Sequence, residues 1–352
     1  WKDDCPTVKS VADAANTSVY IQISKENYTT WTSGPQNATI SPKGISDSDI
    51  QITPYSGTYD GNPHAAISSV KGCPDGCTIK YSIDGKNWKD DCPTVESVAD
   101  AANTSVYIQI SKENYTTWTS GPQNATISPK GISDSDIQIT PYSGIYDGSH
   151  HKVISSVTGC PYGCTIKYSI DGINWKDDCP TVKSVADAAN TSVYIQISKK
   201  NYTTWTSSPQ KANISPKNIT INIDNLEKTY GTDNPTLTFT VPDSENQLVT
   251  GDTIDSLGIK LITTAGTSSP VNSNGYPITL ESCANNNYKI IKAENGTLRI
   301  NPATFDENSI EITAYNRIYD GDEHPIITGI FPTGSNVEYS TESPNETTIW
   351  SS

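Results

Sequence analysis

The chain has 352 residues, a formal net charge of −15, 34% hydrophobic residues, 23 Gly and 22 Pro. That acidity excludes a nucleic-acid footprint, which needs clustered Lys and Arg, and so apolar-poor a chain builds several small cores rather than one large one. It contains no run of 18 apolar residues, so no transmembrane helix is expected in this segment, and neither a signal peptide nor an anchoring signal is visible.

Self-similarity organises the rest. Residues 1–87 align with 88–174 without a gap, and nine positions differ: Lys9/Glu96, Thr58/Ile145, Asn62/Ser149, Pro63/His150, Ala65/Lys152, Ala66/Val153, Lys71/Thr158, Asp75/Tyr162 and Lys86/Ile173. A third copy runs from Trp175 to about Lys217. The polar, Pro- and Gly-containing stretch ISPKGISDSD, at 40–49 and 127–136, is the expected joint between domains. Cutting there yields the C-terminal half of a β unit at 1–43, complete units at 44–130 and 131–217, a different domain at 218–303, and the N-terminal half of a further unit at 304–352. In that last stretch YDGDEH answers YDGNPH at 59–64, and the unit stops just after Trp350.

Within a unit, DIQIT (49–53), TIKYSI (78–83) and VYIQIS (106–111) alternate apolar and polar residues, the period of a half-buried strand. The turn signals YDG, PDG, IDG and KENY separate them. SVADAAN (97–103) predicts one short helical turn. The expected fold is mostly β: tandem small Ig-like β-sandwiches arranged as an extended stalk. The domain at 218–303 is expected to add a short helix at GDTIDSLG, with Asp252 capping its first turn.

Eight cysteines point to an oxidising compartment. Twelve Asn-X-Ser/Thr sequons, as at Asn27, Asn114 and Asn295, are near what so much Asn, Ser and Thr gives by chance. Asp84-Gly85 is a two-residue hairpin signal of the I′ kind. Folding about it sets Tyr81 against Trp88 and Cys77 against Cys92, so Cys77–Cys92 and Cys164–Cys179 are the expected disulfides. Cys73–Cys92 and Cys73–Cys77 are the rival pairings. On the favoured one Cys5, Cys73, Cys160 and Cys283 are left over, as buried thiols, as cross-links to neighbouring chains, or as bonds between adjacent units.

Other chemistry is thin. CxxxC with a third Cys and an upstream His matches no common zinc module. His64, His151 and His324 share the last position of YDGxxH and read as structural. Asp90 and Asp91, with the acids of SDSD (46–49), match no calcium loop. Trp31, Trp118 and Trp205 in NYTTWTS are expected to pack, with sugar stacking as the rival. No nucleophile–base pair or phosphate loop stands out, so no enzyme, cofactor or metal is expected.

The segment 218–303 reads KTYGTDNPTLTFTV, LVTGDTIDSLGIKLITTAG and GYPITLESCANNNYKIIKAENGTLRINPA. It resembles the MBG domains (mostly β, glycine-rich) of large bacterial surface proteins, with Tyr-Gly and a downstream Pro, Gly-Asp before a short helix, Gly-Tyr-x-Ile, Asn-Tyr, and a closing Gly-x-Leu strand. Cys283 departs from the small residue expected there. The YDG..H and YSIDG..W units resemble, more loosely, the repeats accompanying MBG domains in adhesins. The resemblance implies a secreted or cell-wall-attached bacterial surface protein and carries over no catalytic residue.

Three functions follow as expectations: an extracellular stalk or fibre segment; an adhesin module binding host glycans or glycoproteins; or a filament subunit in which 304–352 of one copy completes 1–43 of the next. Partners are neighbouring domains, copies of itself, or those host molecules. Against the filament, Phe331 and Ser335 stand where Cys73 and Cys77 stand, which would deprive Cys5 of a disulfide partner. A window of a longer array is therefore the preferred reading.

Overall fold

A computed structural model describes residues 1–341. Strands dominate, as the alternation predicts, and no helix among these residues is long and apolar enough to cross a membrane. The expected end of the last unit at Trp350 lies outside the described residues. The chain divides into two compact units. One holds 1–143, 150–182 and 187–213; the other holds 144–149, 183–186 and the chain from 214 onward.

In the first unit, the repeat at 44–130 packs two layers on one core. Gln51–Pro54 pairs antiparallel with Ile67–Lys71, and Ser56–Thr58 lies parallel to Thr126–Ser128. The other layer centres on Ser105–Ser111, which pairs with Thr78–Ser82, Trp118–Thr119 and Gln123–Asn124. Alternation along that central strand puts Val106, Ile108 and Ile110 wholly inside, where they meet Ala66, Ile67, Val95, Ala101 and Ile127. Burying each such side chain is worth about 1.5–3 kcal/mol. The next repeat repeats the plan with Val193, Ile195 and Ile197. Of the nine differences, Ala66/Val153 is a core exchange, both residues being fully buried, whereas Ile145, Tyr162 and Ile173 are exposed.

The predicted short turn is a six-residue helix, Val98–Asn103, preceded by a capping box. Ser97 Oγ accepts from the Asp100 amide and Asp100 accepts from the Ser97 amide. Segment 1–43 keeps the helix Val11–Asn16, but the counterpart of Ser105–Ser111 is broken into Ser18–Val19 and Gln22–Ile23, and Ile21 and Ile23 are 50% and 59% exposed where Ile108 and Ile110 are inaccessible. Described residues of the last segment pair Glu311–Ala314 with Ile327–Ile330.

In the second unit, Lys217–Ile223 lies parallel to Tyr288–Glu294 and antiparallel to Phe239–Thr240. Leu226–Thr229 lies parallel to Gly296–Asn301, which pairs through Tyr276–Cys283 with Ile259–Thr263. Ile219, Ile221, Leu257, Ile278, Leu298 and Ile300 are among its fully buried residues. The helix expected at GDTIDSLG is a 3-10 turn, Asp255–Leu257, and Asp252 does not cap it. Thr253 and Ser256 close the start of this turn on each other, and the Asp252 carboxylate is taken by two tyrosine hydroxyls instead. A further short helix, Ser244–Gln247, had no clear sequence signal.

Candidate functional site

Two features recur with the repeat, a cysteine loop and a joint, and the loop leans on the joint. The cysteine pairing differs from expectation. Cys160 is bonded to Cys164 (Cα–Cα 6.4 Å), so the Cys164–Cys179 bond is not made and Cys160 is not a surplus thiol. Cys77 and Cys92 are likewise unbonded. The cause is the hairpin. Only Gly85 has positive φ (+70°), whereas an I′ turn needs it at Asp84 as well. Asp84 instead closes a wider loop, accepting from the Lys86 and Asn87 amides, Asn87 Nδ2 and Ser82 Oγ. Those bonds, the Asn87 amide foremost, hold its carboxyl well below the usual carboxylate range.

The wider loop shifts the register, so Tyr81 faces Lys89 rather than Trp88, through hydrogen bonds of 2.8 and 2.9 Å. The chain then leaves the hairpin: Ala66 N donates to Pro93 O and Thr94 pairs with Ala65. Cys92 is thereby carried to the core. Its counterpart Cys179 is buried, its Sγ accepting from the Ile154 amide (3.4 Å) and donating to Pro180 O. Burial pushes both thiols up. Cys283 is half-buried and donates to Leu257 O, and Cys5 is exposed. In the first full repeat Cys77 lies against Cys73; burial first, and that neighbour second, push the Cys77 thiol up to about 11.

What the sequence reading missed is how the joint is held. Lys43 forms a parallel bridge with Tyr115: its amide donates to Asn114 O and its carbonyl accepts from Thr116 N. Asn114 Oδ1 also accepts from the amide of Val11, the first residue of the preceding helix (2.8 Å). Eighty-seven residues on, Lys130 bridges Tyr202 and Asn201 Oδ1 accepts from Val98 N (3.2 Å). Here Tyr59 of the YDG turn meets Tyr202 edge-on at 5.9 Å. Both asparagines hold left-handed backbone, φ +64° and +67°, a conformation Asn tolerates better than most residues.

The second unit makes the same contacts with its own Asn-Tyr. Lys217 lies parallel to Tyr288, its amide donates to Asn287 O, and Asn287 Oδ1 accepts from Val185 N (2.9 Å). Tyr146 meets Tyr288 edge-on at 5.6 Å, and both hydroxyls donate to Asp252. The available signal was the Asn-Tyr dipeptide shared by SKENYTT, SKKNYTT and ANNNYKI.

In the two repeats a lysine ahead of Asn-Tyr ties joint to cysteine loop. Lys112 Nζ donates to Asp75 O inside CPDGC and lies 5.3 Å from the Tyr115 ring centre. Lys199 Nζ donates to Tyr162 O inside CPYGC (2.7 Å) and lies 5.0 Å from that of Tyr202.

The remaining candidates have structural partners. His64 stacks on Tyr55 (4.2 Å) and bonds Asp60 (3.0 Å); His151 stacks on Tyr142; His324 stacks on Tyr315 and bonds Asp320 (2.7 Å). Trp118 and Trp205 donate their indole N–H to Asp47 and Asp134 of the SDSD joints, while Trp31 is exposed. Asp90 pairs with Lys80 at the surface (3.4 Å). Among the described residues no three His, Cys, Asp or Glu side chains gather as a metal site.

Residues 219–299 match the family model of the MBG domain (YGX type), the family to which the sequence resemblance pointed. No curated protein matches the chain. Among solved structures, the chain is similar to the N-terminal four Ig domains of Dscam1 isoform 9.44 (with zinc), at 11% identity and a TM-score of 0.24, over 79% of this chain and 78% of that one. It is also similar to Drosophila OTK extracellular domains 3–5, at 12% identity and a TM-score of 0.22, over 74% and 100%. Scores of that size carry no argument, so the β architecture rests on the sheets described above.

Proposed function

We propose that this chain is a segment of an extracellular stalk or fibre of a bacterial surface protein, with modules at 44–130, 131–217 and 218–303 flanked by half-modules at 1–43 and 304–352. The observation that carries this reading is the Lys–Tyr parallel bridge with its Asn cap, made at Lys43, Lys130 and Lys217. A joint that both module types can make permits concatenation while limiting free rotation at each linker. NMR relaxation on the full chain tests it. Residues on either side of Lys43, of Lys130 and of Lys217 are expected to share one rotational correlation time; independent tumbling across the joints would refute the stalk.

An adhesin is the second reading, supported by exposed apolar residues where the copies differ, Ile145, Tyr162 (98%) and Ile173 (78%). Saturable binding of the full chain on a glycan or host-glycoprotein array would favour it over a purely supporting role. The filament reading loses its main objection. The counterparts of Cys5, Cys92 and Cys179, are core thiols, so Phe331 and Ser335 take no disulfide partner from Cys5. The exposed Ile21 and Ile23 support completion of 1–43 by a YDG half-module. Sedimentation of the 352-residue chain over a concentration series tests whether a second copy supplies it.

A further inference from the structure

We propose that Cys73 and Cys77 close the same short disulfide as Cys160 and Cys164, and that each of these bonds holds the carbonyl on which the adjoining joint is braced, making the joints at Lys43 and Lys130 sensitive to thiol–disulfide exchange. The two loops are CPDGC and CPYGC, and the single difference, Asp75/Tyr162, points its side chain outward: Tyr162 is 98% exposed. Their backbones match. Cys77 N donates to Pro74 O and Cys164 N to Pro161 O, both at 2.9 Å, and Gly76 and Gly163 share φ +74°. Cys77 already lies against Cys73. Cys92 and Cys179 are held in the core by backbone partners and stay thiols.

The consequence runs through one lysine per module. Lys112 and Lys199 donate to the carbonyl of the variable residue, so the contact survives the change of side chain. Each lies over the tyrosine that faces the linker, Tyr115 opposite Lys43 and Tyr202 opposite Lys130. With the bond open, the loop carrying that carbonyl is held only by the turn bond from Cys77 N or Cys164 N, and the lysine brace on it weakens.

The chemistry needs an oxidant, and a small disulfide such as oxidised glutathione suffices. The thiolate of one loop cysteine attacks it, forming a mixed disulfide and releasing one small thiol. The second loop cysteine attacks the mixed disulfide, forming the protein S–S bond and releasing the other small thiol. The protein loses two protons and two electrons, and both end on the two small thiols.

This inference rests on the stalk reading only in treating the joints as working parts. The full chain is equilibrated with oxidised glutathione and peptide-mapped without reduction. The fragment holding Cys73 and Cys77 is expected lighter by two hydrogens, with Cys92 and Cys179 alkylated only after unfolding. Hydrogen exchange is then followed at the amides of Lys43, Thr116, Lys130 and Thr203, which make the joints. Reduction is expected to speed them about three- to tenfold, the loss of about one exposed hydrogen bond. The Lys217 amide, whose joint has no cysteine loop, should not change. The double variant C160S/C164S should exchange fast at Lys130 and Thr203 with or without reductant, while Lys43 and Thr116 keep their response. Two alkylatable thiols at Cys73 and Cys77 in the folded, oxidised chain, or equal exchange in both redox states, would overturn the proposal. Modules tumbling together with no redox response would defeat this proposal alone; independent tumbling would defeat the stalk.

Discussion

Asn201 serves its joint twice, once through its left-handed backbone and once through its side chain. Asn201→Ala should therefore cost about 2 kcal/mol, roughly half from forcing Ala into φ +67° and half from the lost acceptor of Val98 N. Asn201→Gly keeps the backbone and should cost about 1 kcal/mol. Hydrogen exchange at the Val98 amide reads both, and two variants alike would remove the backbone contribution. Asp84 makes a pH prediction at the same scale. Its carboxyl is depressed in the folded loop. The stabilisation is thus complete above the unfolded carboxylate value of about 3.9 and is lost as pH falls below it. The Lys86 and Asn87 amide shifts should stay flat through the usual carboxylate range and move only well below it, and Asp84→Asn should abolish that transition.

The strand Ser105–Ser111 shows why an element's cost depends on what covers it. Ile108 is inaccessible, so Ile108→Ala should lose about 2–5 kcal/mol. Ile23, the counterpart of Ile110 in the first segment, is 59% exposed, so Ile23→Ala should stay within about 0.5 kcal/mol. Exchange of the strand amides in the full chain checks the pair, and equal effects would mean the exposed face is covered in solution. The hairpin tip is the opposite case of a local rule overruled. Asp-Gly predicts a tight turn, but four bonds to the Asp84 side chain stabilise a wider loop, and the cysteine register changes with it. A turn signal two residues long cannot report side-chain donors supplied by Ser82 and Asn87.

At the scale of the whole molecule, the joints carry the argument. Gly148 has φ +74°, and a Cβ there would stand 2.4 Å from Val249 Cγ1. Gly148→Ala should disturb the second unit's Tyr146–Asp252–Tyr288 contact and speed exchange at the Val185 and Lys217 amides, with Lys43 unaffected. Unchanged exchange would mean that Val249 gives way and the joint does not depend on that turn. The first unit has no counterpart to this clash: a Cβ at Gly61 meets nothing closer than 4.0 Å.

The repeats, the β class, the burial pattern of VYIQIS and the MBG domain were all legible in the amino-acid order, because each depends on local periodicity or on a motif contained in one stretch. The disulfide partner of Cys164, the thiol state of Cys179, the role of Asp252 and the meaning of Asn-Tyr were not. Each depends on which residue arrives from far along the chain: Ile154 at Cys179, Tyr146 at Asp252, Val98 at Asn201. Periodicity says which face a side chain takes, but only the packed sheets and joints decide what it meets there.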